Sequence, residues 1–186
     1  MVYYEVRLHG RGGQGAVLAG RLLGEAIMDA GYYAQSFPEF GAERSGAPVT
    51  AFLRASDSMI EVRSPITRPH YVVVIDPYLS IKSSIIEGLR DGGAIVANTT
   101  LDPAKLREVL KPKVKCKVAT INATKVALEV LGRNNPNTAV LGALAAATGI
   151  TSIDFLMDAA KKAFPGRVGE LNAESVRIGA EKVAVA

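Results

Sequence analysis

The chain is expected to be an α/β protein, a three-layer α/β/α arrangement around a mostly parallel, mixed sheet. Three observations carry that expectation. A β-rich stretch runs directly into a glycine loop that opens a helix, and a second strand follows within about 37 residues, the size of a βαβ unit. Two continuous apolar runs, Tyr71–Ile75 and Gly93–Asn98, have the pattern of strands covered on both faces. Everything after Asn122 reads as helix, so the C-terminal third is helical. At 186 residues the chain is expected to form one domain, residues 1–186, with enough length to bury a core without disulfides.

Taken in order, Tyr3–Leu8 alternates as a strand and breaks into Gly10-Arg11-Gly12-Gly13-Gln14-Gly15. From Ala16, small and apolar residues recur at helical spacing until Gly31. Tyr32–Phe37 is a second short strand, and Pro38 to Pro48 is a loop rich in glycine and charge. Val49–Ala55 and Met59–Val62 read as a hairpin around Ser56-Asp57-Ser58. Asp76-Pro77 ends the first buried strand and is expected to start a helix over Tyr78–Leu89. Asp102-Pro103 starts the next, with proline at its favoured first position. In Val114–Thr120, Val114, Cys116 and Val118 share one face and Lys113, Lys115 and Lys117 the other, as in a half-exposed strand guarded near a sheet edge. Helices are then expected near 122–131, 137–148, 152–163 and 170–183.

Composition excludes several classes. Apolar residues make up 48% and charged residues 22%, ordinary for a globular protein. One cysteine, Cys116, excludes an internal disulfide, a zinc ribbon and a self-contained iron–sulfur cluster. No run approaches a membrane span, and the first residues lack a basic region followed by an apolar one, so a cytoplasmic protein with no membrane partner is expected. The net charge is +4, and no dense basic run with interleaved aromatics points to nucleic acid. Charge type is uneven. In residues 1–93 eight of nine cations are arginine, whereas in 94–186 nine of thirteen are lysine. Arginine suits planar anion and interface contacts, so the first half looks built for recognition.

Gly10, Gly12 and Gly15 fit G-x-G-x-x-G between a strand and a helix, where backbone can approach a phosphate at a helix N-terminus. A dinucleotide fold also needs an acid at the end of the second strand. Tyr33–Phe37 supplies none, and Glu39 lies beyond Pro38. A tight turn whose glycines serve packing is the plain alternative. The segment Phe37–Pro48 carries Phe37, Glu39, Phe40, Glu43 and Arg44, the aromatic and arginine composition of interface anchors or ligand contacts. Its plain alternative has the two phenylalanines plugging the sheet edge.

Other residues have structural readings. His9 is expected to be a hydrogen-bonded structural histidine, His70 a solvent-exposed loop residue, and Cys116 an inert core thiol. Asp76 stands at a strand's C-terminal end, where open sheets place ligands, and helix capping alone would explain it. The Lys111–Lys117 row suits an edge strand, or steering of an acidic partner. Ala139–Ala147 reads as small-residue helix packing.

Three segments together carry a resemblance: His9–Gly15, Phe37–Val49 and Asn137-Thr-Ala-Val-Leu-Gly-Ala-Leu144. In this order, spanning about Tyr4 to Glu181, the chain resembles the gamma subunit of the 2-oxoacid:ferredoxin oxidoreductases, closest to the pyruvate branch, pyruvate synthase. The resemblance implies an oligomeric enzyme that oxidatively decarboxylates a 2-oxoacid with coenzyme A and passes electrons to ferredoxin. It implies alpha-, beta- and delta-type partner subunits. The complex is implied to use thiamine diphosphate, magnesium and 4Fe-4S clusters, none held by this chain alone. No catalytic or metal-binding residue is assigned to it, and the isolated chain is expected to be inactive. Ser45 departs from the second arginine expected beside Arg44. For a subunit of such an enzyme, the loop Gly10, Arg11, Gly12, Gly13, Gln14 and Gly15, with Arg44, is the candidate wall for the coenzyme A phosphates. A self-sufficient oxidoreductase binding NAD or FAD through the same loop is the alternative.

Overall fold

In a computed structural model, residues 3–39 and 46–186 are described. Seven strands form one sheet: β1 (Tyr3–Arg11), β2 (Tyr33–Pro38), β3 (Pro48–Ser56), β4 (Tyr71–Val74), β5 (Gly93–Asn98), β6 (Cys116–Ile121) and β7 (Ala184–Val185). Six α-helices accompany them among the described residues: α1 (Ala16–Asp29), α2 (Pro103–Leu110), α3 (Ala123–Leu131), α4 (Asn137–Thr148), α5 (Ile153–Ala163) and α6 (Arg167–Lys182). The strand order is β2-β3-β1-β4-β5-β6-β7. Strands β1, β4, β5 and β6 are mutually parallel, and β3 and β7 run against their neighbours.

The expected βαβ unit is present but split. β2 pairs with β3, and β3 pairs with β1, both antiparallel. β1 and β2 are therefore parallel with a strand between them. This also explains why the expected hairpin over 59–62 does not form. β3 already has a partner on each side, so no edge is open to Met59–Val62. Instead the Arg54 guanidinium, 1% exposed, draws that segment across itself, donating to Val62 O at 3.3 Å and Ser64 O at 2.6 Å.

The helix expected over Tyr78–Leu89 is replaced by turns and a short 3-10 segment, Ser83–Ile86. The run Ser80-Ile-Lys-Ser-Ser-Ile-Ile86 consists largely of weak helix formers. Arg7 Nη2 also takes the carbonyls of Ile85 (2.7 Å) and Glu87 (2.8 Å). Asp102 caps α2 as expected, accepting from Lys105 N–H at 2.9 Å. The two-residue strand β7 has no sequence signal of its own.

One face of the sheet carries α1 and α4, with α3, α5 and α6 packed outside them. Helix α4 is buried nearly all round, which explains its apolar, unpatterned sequence. It meets α6 backbone to backbone: a Cβ on Gly142 would overlap the Val176 carbonyl, and one on Gly179 the Ala139 carbonyl. The other face is covered by α2 and the 77–89 segment, and only over β4, β5 and β6. The second helical layer is therefore half a layer. Crossovers from β1 and β4 leave toward opposite faces, which makes the C-terminal ends of these adjacent parallel strands the switch point where open sheets bind ligands.

Candidate functional site

The glycine loop stands at that switch point. Gly10 lies under α1, where a Cβ would sit 3.1 Å from Ala16 Cβ. Gly13 (φ 93°) and Gly15 (φ 76°) adopt left-handed backbone that favours glycine. Gly15 has a second reason, since a Cβ there would come within 2.5 Å of Asn137 Nδ2. Gly15 is also the N-cap of α1, with no side-chain cap and no acid in the first turn. The first N–H groups of the helix are thus left for another acceptor.

The loop's side chains turn inward. Gln14 Oε1 accepts from Arg11 N–H at 2.8 Å, and Gln14 Nε2 donates to Asp76 Oδ2 at 2.7 Å. Arg11 Nε stands 3.4 Å from Asp76 Oδ1, and its Nη1 donates to Gly46 O at 3.2 Å. Asp76, 2% exposed, also accepts from Tyr78 N–H and Leu79 N–H, both at 3.0 Å. Both readings of Asp76 are therefore combined in one carboxylate, which caps the following turn and holds the loop. It also balances the Arg11 charge, while the Arg11, Gly12 and Gln14 N–H groups donate to Gln14 Oε1, Ala47 O and Arg11 O.

The three distant segments singled out in the sequence meet here. Gly12 N–H donates to Ala47 O at 3.0 Å, tying the loop to the residues that enter β3. Asn137, wholly buried at the start of α4, reaches Gly15 O at 3.5 Å through Nδ2. Thr138 beside it donates to Asn172 Oδ1 at 3.2 Å, which links the loop to α6. Neither Asp76 nor Asn137 could be joined to the loop from sequence alone. Their only signals were a strand end and a motif of unknown contact.

Of the residues expected to form an interface or ligand surface, Phe40, Glu43 and Arg44 lie outside the described residues, as does Ser45. Phe37 packs on Phe52, with ring centroids 5.3 Å apart, and the Arg54 guanidinium lies 5.5 Å from its ring. Glu39 is exposed at the mouth of a 500 Å³ cavity that Arg7, His9, Thr50 and Phe52 also line. His9 is a hydrogen-bonded structural histidine: its Nε2 accepts from Arg7 Nε at 3.0 Å. Burial, with Arg7 beside it, lowers its pKa to about 4, so the ring is neutral. His70 corrects the expectation of a solvent-exposed loop residue. It is half-buried against Tyr4, and its Nδ1 accepts from Glu5 N–H at 3.0 Å.

A dinucleotide site is not built here. In that fold the strand bearing the ribose-binding acid lies beside β1, whereas β3 occupies that place and moves the end of β2 one strand spacing, about 4.8 Å, further away. Among the described residues no three His, Cys, Asp or Glu side chains gather as a metal site. No helix there is long and apolar enough to cross a membrane.

A model of the family described as pyruvate ferredoxin/flavodoxin oxidoreductase matches residues 5–182. The chain is 47% identical over 181 residues to the pyruvate/ketoisovalerate oxidoreductases common subunit gamma of Pyrococcus furiosus, covering 97% of each. It is 46% identical over 179 residues to pyruvate synthase subunit PorC of Methanothermobacter thermautotrophicus, covering 96% of this chain and 95% of that one. The crystal structure of pyruvate oxidoreductase subunit PORC from Thermotoga maritima superposes with a TM-score of 0.88 at 37% identity, over 100% of this chain and 99% of that one.

Proposed function

The chain belongs to the pyruvate ferredoxin/flavodoxin oxidoreductase family, and on that premise we propose that it is the gamma-type subunit of a pyruvate-type 2-oxoacid:ferredoxin oxidoreductase. In that reaction a 2-oxoacid loses carbon dioxide, its acyl group passes to coenzyme A, and two electrons go to ferredoxin. Thiamine diphosphate, magnesium and 4Fe-4S clusters belong to partner subunits of alpha, beta and delta type, and the assembly works in the cytoplasm.

This subunit's contribution is structural and anion-binding. Its glycine loop forms one wall of the coenzyme A site, offering backbone N–H groups and the open end of α1 to a phosphate. The observation that carries this reading is the convergence of Gly12, Ala47, Gly15 and Asn137 on one point at the switch of the sheet. Residues 35 apart (Gly12 and Ala47) and 122 apart (Gly15 and Asn137) have been brought together around the loop. Asp76, Gln14 and Arg11 keep that loop in shape.

Two experiments test the reading. Tagged chain recovered anaerobically from its host should carry iron, thiamine diphosphate and coenzyme A-dependent pyruvate oxidation. A lone, colourless protein would end the subunit reading. In the assembled enzyme, Gly13→Val forces a branched side chain into left-handed backbone. It should raise the KM for coenzyme A about tenfold, the loss of one good hydrogen-bonded contact, with the KM for pyruvate unchanged. An unaltered coenzyme A KM would remove the loop from the site while leaving the subunit assignment standing.

A further inference from the structure

The two edges of the sheet are built differently. At one edge, β6 carries exposed Lys115 and Lys117 around its start and is partly covered by β7. At the other, β2 reads Tyr-Ala-Gln-Ser-Phe-Pro, without a single charge. Among the described residues no strand pairs with its outer side. Soluble proteins guard exposed edges with charge, bulges or a covering element, and among the described residues Pro38, at the last position of β2, is the one such device.

Pairing on the inner side decides which groups face out. Glu39 N–H donates to Thr50 O at 2.9 Å, continuing the ladder in which Phe37 faces Phe52 and Gln35 faces Arg54. The amides and carbonyls of residues 33, 35, 37 and 39 therefore point at β3, and those of Ala34 and Ser36 point outward. The side chains of Ala34 and Ser36 lie against α1 at Gly24 and Gly20. Tyr33, Gln35 and Phe37 occupy the opposite face. Tyr33 is 49% exposed.

We propose that β2 pairs antiparallel with β2 of a second copy of this chain, about a two-fold axis through Gln35. In that register Ala34 and Ser36 of one chain exchange N–H and C=O groups with Ser36 and Ala34 of the other, giving four backbone hydrogen bonds. Gln35 faces its own copy across a non-hydrogen-bonded pair, where Cα atoms stand about 4.5 Å apart. Tyr33 faces Phe37 of the copy, so two aromatic pairs form, one on each side of the axis.

Neighbouring registers are poorer. A shift in one direction sets Ala34 against Pro38, which has no N–H to give. A shift in the other sets Ser36 against Tyr32, whose N–H already donates to Ile27 O at 3.2 Å. Only pairing centred on Gln35 uses each outward donor of the strand. The strand is thus complementary to itself, as an isologous contact requires. The contact is separate from the glycine loop and does not depend on coenzyme A binding there.

Sedimentation of the full chain, alone and in the assembled enzyme, tests the contact together with a cross-link specific for its register. The chain alone should form a species of twice its 19.6 kDa mass. Tyr33→Lys should weaken that species at least tenfold in Kd, by placing a charge beside the axis on each chain. In a Cys116→Ala background, Gln35→Cys should oxidise to a linked dimer, because about 4.5 Å lies within the Cα range of a disulfide. A cysteine at exposed Met59 should not. A strict monomer, a dimer indifferent to Tyr33→Lys, or a persistent dimer in which Cys at 35 stays reduced would each overturn the proposal. So would amide protection of Ala34 and Ser36 that appears only when the other subunits bind, which would assign the edge to them.

Discussion

All ten residues of β4 and β5 are buried, whereas β2 has no buried residue. The contrast runs through the whole sheet. On the β4–β6 side both faces are roofed, one by α4 and the other by α2 with the 77–89 segment, so the strands are uniformly apolar. On the β1–β3–β2 side a helix covers one face only, and the other carries Glu5, Arg7, His9, Phe52 and Arg54. Those side chains are satisfied by one another and by loop carbonyls: Glu5 binds Arg54 at 3.1 Å and Arg90 at 2.7 Å, while Arg7 and Arg54 hold the chain at 85–87 and 62–64. The difference shows how one sheet divides its work. The doubly covered half supplies stability by burial, and the half-covered side uses ion pairs to anchor loops around the site.

The largest effect is expected where the comparison is sharpest, in the packing behind the covered half. Gly142→Val would drive a side chain into the Val176 carbonyl across the α4–α6 contact. It should cost more than ~3 kcal/mol and abolish soluble expression or lower the thermal midpoint by more than about ten degrees. On the half-covered side, Arg54→Met should cost ~2–3 kcal/mol in urea unfolding, because it removes one of the two arginines that hold Glu5, leaving Arg90, and releases Val62 and Ser64. Adding Glu5→Gln should recover part of that loss; a fully additive double mutant would show that the pair is not coupled.

Acid should act on the same half. His9 titrates near 6.5 when unfolded and about 4 when folded. The fold favours the neutral ring, so its stability is complete above about pH 6.5 and falls by up to ~3 kcal/mol as pH drops toward 4. His70, also lowered by burial, works in the same direction. Denaturant midpoints at neutral pH and at about pH 4.5 should show the loss, and His9→Gln should flatten much of it. The smallest effect is expected at the covered half's far edge. Cys116 packs half-buried against that core, and burial pushes its thiol up. Cys116→Ala should cost less than ~1 kcal/mol, and the native thiol should alkylate more slowly than free cysteine.

What the sequence determined by itself was everything that depends on near neighbours. The apolar runs of β4 and β5, the Asp102-Pro103 start of α2, the four C-terminal helices and the glycine loop each follow from periodicity or from a cap a few residues away. The three motif segments identified the family because their order survives whatever lies between them. The tertiary structure alone decided the rest. β3 enters between β1 and β2 because a strand chooses its partners by what lies beside it in space, and that choice left Met59–Val62 without an edge to join. The 78–89 segment gave up its helix because Arg7, 78 and 80 residues away, takes its carbonyls. Gln14 meets Asp76 across 62 residues, and Asn137 meets Gly15 across 122. Such contacts have no local periodicity, and their free energy arises only once the sheet has brought the two ends of its switch point together.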